Sequence, residues 1–501
     1  MSEYKKQTVL SSFYLVINLL LSIVSMLYLS TRALTTAQLG LIQFLLTVAS
    51  IFGLFSQMGM RSVNIRYFPY FKDKAKKHNG YLSFVLLVPI VGLSVVFVIV
   101  YFFKDIIIRA FDQPESRELI QNYYWCIYPL LIALTYYDIL SSYVSALYKP
   151  AVNIFLRDVF TKSIGAVLLL LIFYSTIGFN TYVLLVVAMY FIQLFSIMLY
   201  LRWIDEWQLG SDLSAFNGTK LREIFSFAFY TLSSGAIFYI FENTDRLMVS
   251  MLSEGQLADG GIYGIMFFIG YVVFLPGKAI ANMAVPLIAA AAKENNLSRI
   301  ENLYKSTSIN QMATGGLLFI GICINLNHII TITGPAYAKG IWVAVLIGLS
   351  QMIDLATGLN GSIIVMSPYY KTLVVFNVLL VLVTIATNYW LIPIYGLTGA
   401  AIATVLTLLI FNTAKTIYVW KKMHIQPFSI NTFKMLLLMI AVLAVGLVLP
   451  PLGGFFVFDL LYRSIIVTIL YIGGIYYFNI TPELTDLGLK MLNRVKVALK
   501  L

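Results

Sequence analysis

A few ionisable residues interrupt long apolar runs of this chain, and they are where chemistry would be done. Lys278 lies deep in one run, just after Pro276-Gly277. A lysine at mid-depth of a bilayer costs roughly 2.5–3.5 kcal/mol on insertion scales, so it is a candidate ligand contact or one half of a structural bridge to a carboxylate. Arg157, Asp158 and Lys162 occupy the first part of another run. Asp158 and Lys162 are i and i+4 and share one helical face. The two cations could wall an anion site. If that end meets the membrane surface, their long side chains could instead reach water. Asp138 and Asp354 could bind a polar ligand, pair with Lys278 or Arg157, carry a coupling proton or pack between helices. Lys278, Arg157, Lys162, Asp138 and Asp354 are therefore the substrate-binding candidates. Arg32, Asp245 and Arg246 lie at the ends of two runs and suit a gating or bridging role better than ligand contact.

These residues must be positioned by helices that cross a membrane. From Val9 to Phe478, fourteen stretches of mostly apolar sequence follow one another: 9–30, 39–60, 81–103, 121–146, 151–174, 181–201, 224–244, 261–288, 309–330, 339–361, 370–390, 395–417, 433–452 and 460–478. About 20 apolar residues in a helix span ~30 Å of hydrocarbon. The runs are continuous rather than alternating, so they predict helices, which satisfy their own backbone groups in lipid. The chain is 60% hydrophobic and 11% charged, well under the ~25% charged residues of a soluble domain. The expected fold is an all-α polytopic membrane protein. No cleavable-signal pattern precedes the first run, which is expected to be the first span.

The net charge of +12 reads as topology rather than nucleic-acid binding. With both termini cytoplasmic, the tails, the cytoplasmic connections and the adjoining span ends hold 26 of the 34 Lys and Arg, as the positive-inside rule expects. The basic run Lys72–Lys77 then lies on the cytoplasmic side, where it could also touch anionic lipid.

The two halves repeat. Leu39-Gly40-Leu41 in the second run has a counterpart in Tyr263-Gly264-Ile265 of the eighth, and Arg32 ends the first run as Arg246 ends the seventh. Ile177-Gly178-Phe179 is matched by Tyr395-Gly396-Leu397, and Asp138 by Asp354, all at offsets of about 220 residues. Two parallel six-helix repeats follow, with the predicted lobes 1–208 and 209–425 and an additional helix pair with its tail at 426–501. Such repeats commonly build transporters with the substrate path at their interface.

Leu391-Ile392-Pro393-Ile394-Tyr395-Gly396-Leu397-Thr398-Gly399-Ala400-Ala401-Ile402-Ala403-Thr404 resembles the signature before the twelfth span of polysaccharide flippases of the multidrug/oligosaccharidyl-lipid/polysaccharide exporter (MOP) superfamily. Arg32 through Gly40, and Asp245-Arg246 through Tyr263-Gly264 and Pro286, extend the resemblance in order. It implies a V-shaped two-lobe bundle around a central cavity. It also implies a flippase that moves undecaprenyl-pyrophosphate-linked oligosaccharide across the bacterial cytoplasmic membrane by alternating access. The expected partners are that lipid-linked glycan, membrane lipids, and a polymerase or glycosyltransferases of the same pathway. The cations would then face the diphosphate or anionic sugars, and the carboxylates the sugar hydroxyls. Trp125, Tyr136, Tyr137, Tyr239 and Trp342 could stack on sugars, although aromatic residues in membrane proteins are more often core or belt.

A cation-coupled multidrug exporter of the same superfamily is the nearest rival. Residues 9–30 hold no Asp or Glu and two extra spans follow the repeats, and both features favour the polysaccharide branch. A lipid II flippase would resemble relatives with several early arginines, whereas the first span here has none before Arg32. A membrane sugar polymerase, ligase or glycosyltransferase would need a catalytic constellation that the short connections do not carry. No cofactor or metal is expected. Cys126 and Cys323 read as buried thiols and His78, His328 and His424 lie far apart.

Overall fold

A computed structural model describes residues 3–211, 216–452 and 456–482. Among these, all regular structure is helical. Among the described residues, eleven helices are long and apolar enough to cross a membrane, or twelve if Gly218–Ile237 and Tyr239–Leu252, bent by 43°, form one span. Two long stretches are among those that depart from simple helices. One runs as Pro150–Ile154, a π-helix over Phe155–Phe160, and Thr161–Phe173. The other is the 53-residue helix Lys371–Met423, broken at Gly396 (φ 57°, ψ −134°).

The break at Gly396 is a reversal. Residues eight apart in a straight helix are about 12 Å apart along its axis, yet a Cβ on Gly399 would collide with the carbonyl of Leu391. The chain therefore folds back on itself within the Leu391–Thr404 motif. Gly396 supplies a positive φ that other residues rarely adopt, and Gly399 supplies the room for backbone to meet backbone.

Compactness divides the chain into Met1–Gly264 and Ile265–Leu501. In the first unit, Thr36–Ser56 begins with a capping box between Thr35 and Gln38, which satisfies two N-terminal amides. This helix crosses the start of Leu257–Tyr271 closely. A Cβ on Gly40 would strike the Leu257 carbonyl, and one on Gly261 would strike the Thr36 carbonyl. Small residues permit such backbone approach in membranes. The 218–252 helix packs against Thr36–Ser56 and Met60–Phe71 and so belongs to this unit. Phe68, Tyr81 and Tyr143 form its aromatic core with Phe71, Phe84 and Phe216.

One end of that core is fixed by buried His78, whose Nδ1 accepts from the Asp73 N–H at 3.1 Å. Its Nε2 donates to Glu206 Oε2 at 3.1 Å, and Lys74 pairs with Glu206 Oε1 at 3.0 Å. This leaves Lys72, Lys76 and Lys77 exposed.

In the second unit, Leu297–Ile324 packs against Leu275–Lys293, Ile341–Thr357 and the helix pair Ile430–Val448 and Phe456–Tyr477. Buried Tyr471 donates to the Ala313 carbonyl at 3.0 Å and so fastens the last helix to Leu297–Ile324.

The glycine crossing generates a test. Gly40→Val and Gly261→Val each lower the thermal unfolding midpoint of the detergent-purified protein, since overpacking a closed contact costs about 1–3 kcal/mol. Gly473→Ala, where nothing lies within 4 Å of the added carbon, leaves the midpoint unchanged or raises it.

Candidate functional site

The first unit encloses a polar cavity of about 270 Å³ among its apolar helices. Asp138 and Tyr137 reach it from Ile127–Ala146, and Tyr190 and Gln193 from Phe179–Trp203. Tyr239 enters from the 218–252 helix and Arg61 from Met60–Phe71. Arg157, Asp158, Thr161 and Lys162 form one wall.

The local helix type helps place that wall. A π-helix bonds i to i+5 and recurs at functional sites; here it spans Phe155–Phe160 and carries both Arg157 and Asp158. The Thr161 hydroxyl follows by donating to the Leu156 carbonyl at 2.8 Å. The first span has its own π-helix, Ile23–Leu29, packed on Thr161–Phe173. Lys162 Nζ donates to the hydroxyl of Ser22, at the edge of that segment. The two irregular spans are thus tied together beside the cavity.

Electrostatically, Arg157 is the centre. It interacts with the charges of Asp138 and Asp158 and lies near the phenols of Tyr137 and Tyr239. Arg61 and Lys162 add two cations, so the lining holds three cations and two carboxylates. Arg157 is exposed and the two carboxylates are half-buried, so opposite charges lower the cost of gathering cations on this wall without a fully desolvated pair. The surplus positive charge and the phenol and amide groups suit an anionic or polyhydroxyl ligand. The volume lies just under the roughly 300–1,000 Å³ of drug-sized sites, so the cavity can hold a head group or a single ring.

Of the residues singled out from sequence, the structure brings Asp138, Arg157 and Lys162 into this one cavity. Lys278 and Asp354 lie in the second unit. Lys278 is exposed on Leu275–Lys293 and has no ion-pair partner among the described residues. Asp354 accepts from Asn412 Nδ2 at 2.9 Å, Asn360 donates to Asn412 Oδ1 at 3.3 Å, and Lys415 interacts with the Asp354 charge. Arg32 is exposed, with its guanidinium 4.5 Å from the Tyr28 ring centroid. Asp245 is buried and accepts from the Tyr263 hydroxyl at 3.2 Å, and Arg246 is half-buried one residue on. Of the aromatic candidates, Tyr137 and Tyr239 line the cavity, Trp125 and Trp342 are exposed, and Tyr136 donates to the Leu86 carbonyl.

Arg61, Tyr190, Gln193 and Lys415 were not singled out from sequence. Tyr190 and Gln193 stand at i and i+3 in an apolar helix, a spacing that puts two polar groups on one face. That was the available signal.

Residues 4–274, more than half of the chain, match the family described as "Polysaccharide biosynthesis protein". The chain belongs to this family. No curated protein matches it. Among solved structures, the lipid II flippase MurJ in an inward closed conformation superposes with a TM-score of 0.71 at 15% identity, covering 94% of this chain and 98% of MurJ. An inward-facing multidrug resistance MATE family transporter of the MOP superfamily gives 0.60 at 12% identity, over 81% of this chain and 94% of its own. A MOP superfamily transporter from Pyrococcus furiosus gives 0.54 at 12%, over 84% and 96%. At these identities the likeness establishes the fold. This member of the polysaccharide biosynthesis family is a multi-pass membrane protein with the fold of MOP-superfamily transporters.

The cavity's charge balance can be checked by unfolding. Arg157→Gln alone is expected to destabilise by about 1 kcal/mol, because Asp138 and Asp158 are half-buried and Arg157 is exposed, so their attraction is partly screened. Adding Asp138→Asn and Asp158→Asn recovers most of that loss in thermal or denaturant unfolding. Purely additive losses would show that these charges do not sustain one another.

Proposed function

We propose that this protein is a flippase that moves undecaprenyl-pyrophosphate-linked oligosaccharide repeat units across the bacterial cytoplasmic membrane for surface polysaccharide biosynthesis. The observation that carries the reading is an ionised, net-cationic cavity inside an apolar helical unit of a chain in the polysaccharide biosynthesis family. A diphosphate and its sugars cannot cross hydrocarbon unaided, since each polar group left unpaired there costs several kcal/mol. Arg157, Lys162 and Arg61 would meet the diphosphate or an acidic sugar, and Asp138 with Tyr190, Gln193 and Tyr239 would meet hydroxyls. Lys278 and Asp354, in the second unit, would supply further contacts to the glycan. Arg32, Asp245 and Arg246 act at the ends of the helices that alternately open and close the path.

Fourteen spans fit this reading. The broken 150–173 stretch counts as one, the bent 218–252 helix as one, and the reversal at Gly396 divides 371–423 into two. Both termini are then cytoplasmic, the sequence lobes 1–208 and 209–425 rock against each other, and the pair from 426 onward rides on the second. In a background without Cys126 and Cys323, a membrane-impermeant thiol reagent added outside should label a cysteine at Glu254 and spare one at Lys77. The opposite pattern would invert the topology.

Transport itself is tested in proteoliposomes, with a fluorescent polyprenyl-diphosphate disaccharide quenched from outside by dithionite. Purified protein should accelerate exposure of the inner-leaflet probe at least about tenfold over empty vesicles, and Arg157→Gln should remove most of that gain. A rate equal to empty vesicles would refute flipping of this substrate class. A MATE-like drug cation transported in its place would favour the multidrug exporter.

A further inference from the structure

A separate set of charged side chains lies in the second unit, where Ile430–Val448 ends and Phe456–Tyr477 begins. Buried Asp459 is its hub. Oδ1 accepts from the Leu452 N–H at 2.8 Å, and Oδ2 accepts from Arg463 Nε at 3.0 Å. His328 Nε2, from the short helix Leu326–Thr333, reaches the same Oδ2 at 3.0 Å. Three N–H donors converge on this carboxylate, and its charge is committed inward.

Arg463 is committed only in part. Its Nε is used, but its two terminal nitrogens, which carry four of the five guanidinium N–H groups, make no hydrogen bond among the described residues. They are also absent from the buried polar atoms that lack partners, so they remain accessible. Arg463 lines a cavity of about 590 Å³ whose opposite wall is Leu447, Val448, Leu449, Pro450 and Pro451. On the same lining, His328 Nδ1 is buried and has no partner.

Both helices cross the membrane and both end here, so the cavity stands at the boundary between hydrocarbon and head groups. One wall is aliphatic and the other offers a fixed planar pair of N–H₂ donors, a geometry that matches two oxygens of a phosphate. We infer that this pocket binds an anionic glycerophospholipid. Its phosphate rests on the terminal nitrogens of Arg463, and the glycerol end of the chains lies along Leu447–Pro451. The Asp459 network holds Arg463 and His328 in place for it. This site is independent of the cavity in the first unit and of the transport reading.

The test uses the full chain in detergent, with thermal unfolding and native mass spectrometry. The ligands are phosphatidylglycerol, which is anionic, phosphatidylcholine, whose choline cation cancels the phosphate charge, and inorganic phosphate. Phosphatidylglycerol should raise the unfolding midpoint by at least about 3 °C at saturating excess and remain bound in the gas phase. The other two should shift it by less than about a third of that. Arg463→Gln should cut the retained lipid about tenfold. Because that change also disturbs Asp459, Leu449→Trp serves as a second variant, filling the cavity while leaving the Asp459 hydrogen bonds intact, with the same loss expected. An equal shift with inorganic phosphate would mean that the site takes free phosphate and not lipid. An undiminished phosphatidylglycerol shift in both variants would overturn the assignment.

Discussion

The first unit is organised around charged side chains that line an accessible cavity among apolar helices. Arg157 lines the cavity and is exposed there. It interacts with Asp138 and Asp158 and is surrounded by phenols. Six helical segments line the cavity, so its charge balance is also a constraint on how they pack. A nearly compensated set with surplus positive charge can remain folded and still attract an anion.

The backbone is adapted to that demand. The π-helix at Phe155–Phe160 puts Arg157 and Asp158, adjacent in sequence, on the cavity wall. The matching irregularity at Ile23–Leu29 lies against the helix that continues from it, joined through Lys162 and Ser22. Elsewhere the helices come together through glycines, as at Gly40 with Gly261, or turn back within a few residues, as at Gly396. Regular apolar helices build the body of the protein, and departures from regularity occur where polar groups or close crossings must be accommodated.

Much of this was legible in the sequence. The apolar runs gave the membrane class and most helices, and the 391–404 motif pointed to a family that the match over residues 4–274 establishes. The same motif turned out to have a local physical meaning, since its two glycines make the reversal. Asp138, Arg157 and Lys162 stood out because charge in an apolar run is conspicuous. Arg61, Tyr190 and Gln193 did not. Arg61 read as one of many basic residues of a connection, and Tyr and Gln are cheap enough in a helix to pass as packing. What joins them to the site is convergence in space, which no periodicity reports. The Asp354–Asn412–Asn360 bonds and Lys415 were hidden for the same reason. The π-helix was invisible because apolar periodicity cannot distinguish i+4 from i+5 bonding over six residues.

The central claim is that the Arg157 cavity receives the diphosphate end of the transported glycan lipid. Photocrosslinking tests it most directly, using a polyprenyl-diphosphate sugar with a diazirine on the first sugar, irradiated with the purified protein and mapped by mass spectrometry. The account predicts adducts concentrated on cavity residues such as Tyr190, Gln193 and Tyr239, competed away by unlabelled diphosphate lipid and lost in Arg157→Gln. Adducts spread over lipid-facing residues, or unchanged by Arg157→Gln, would contradict it.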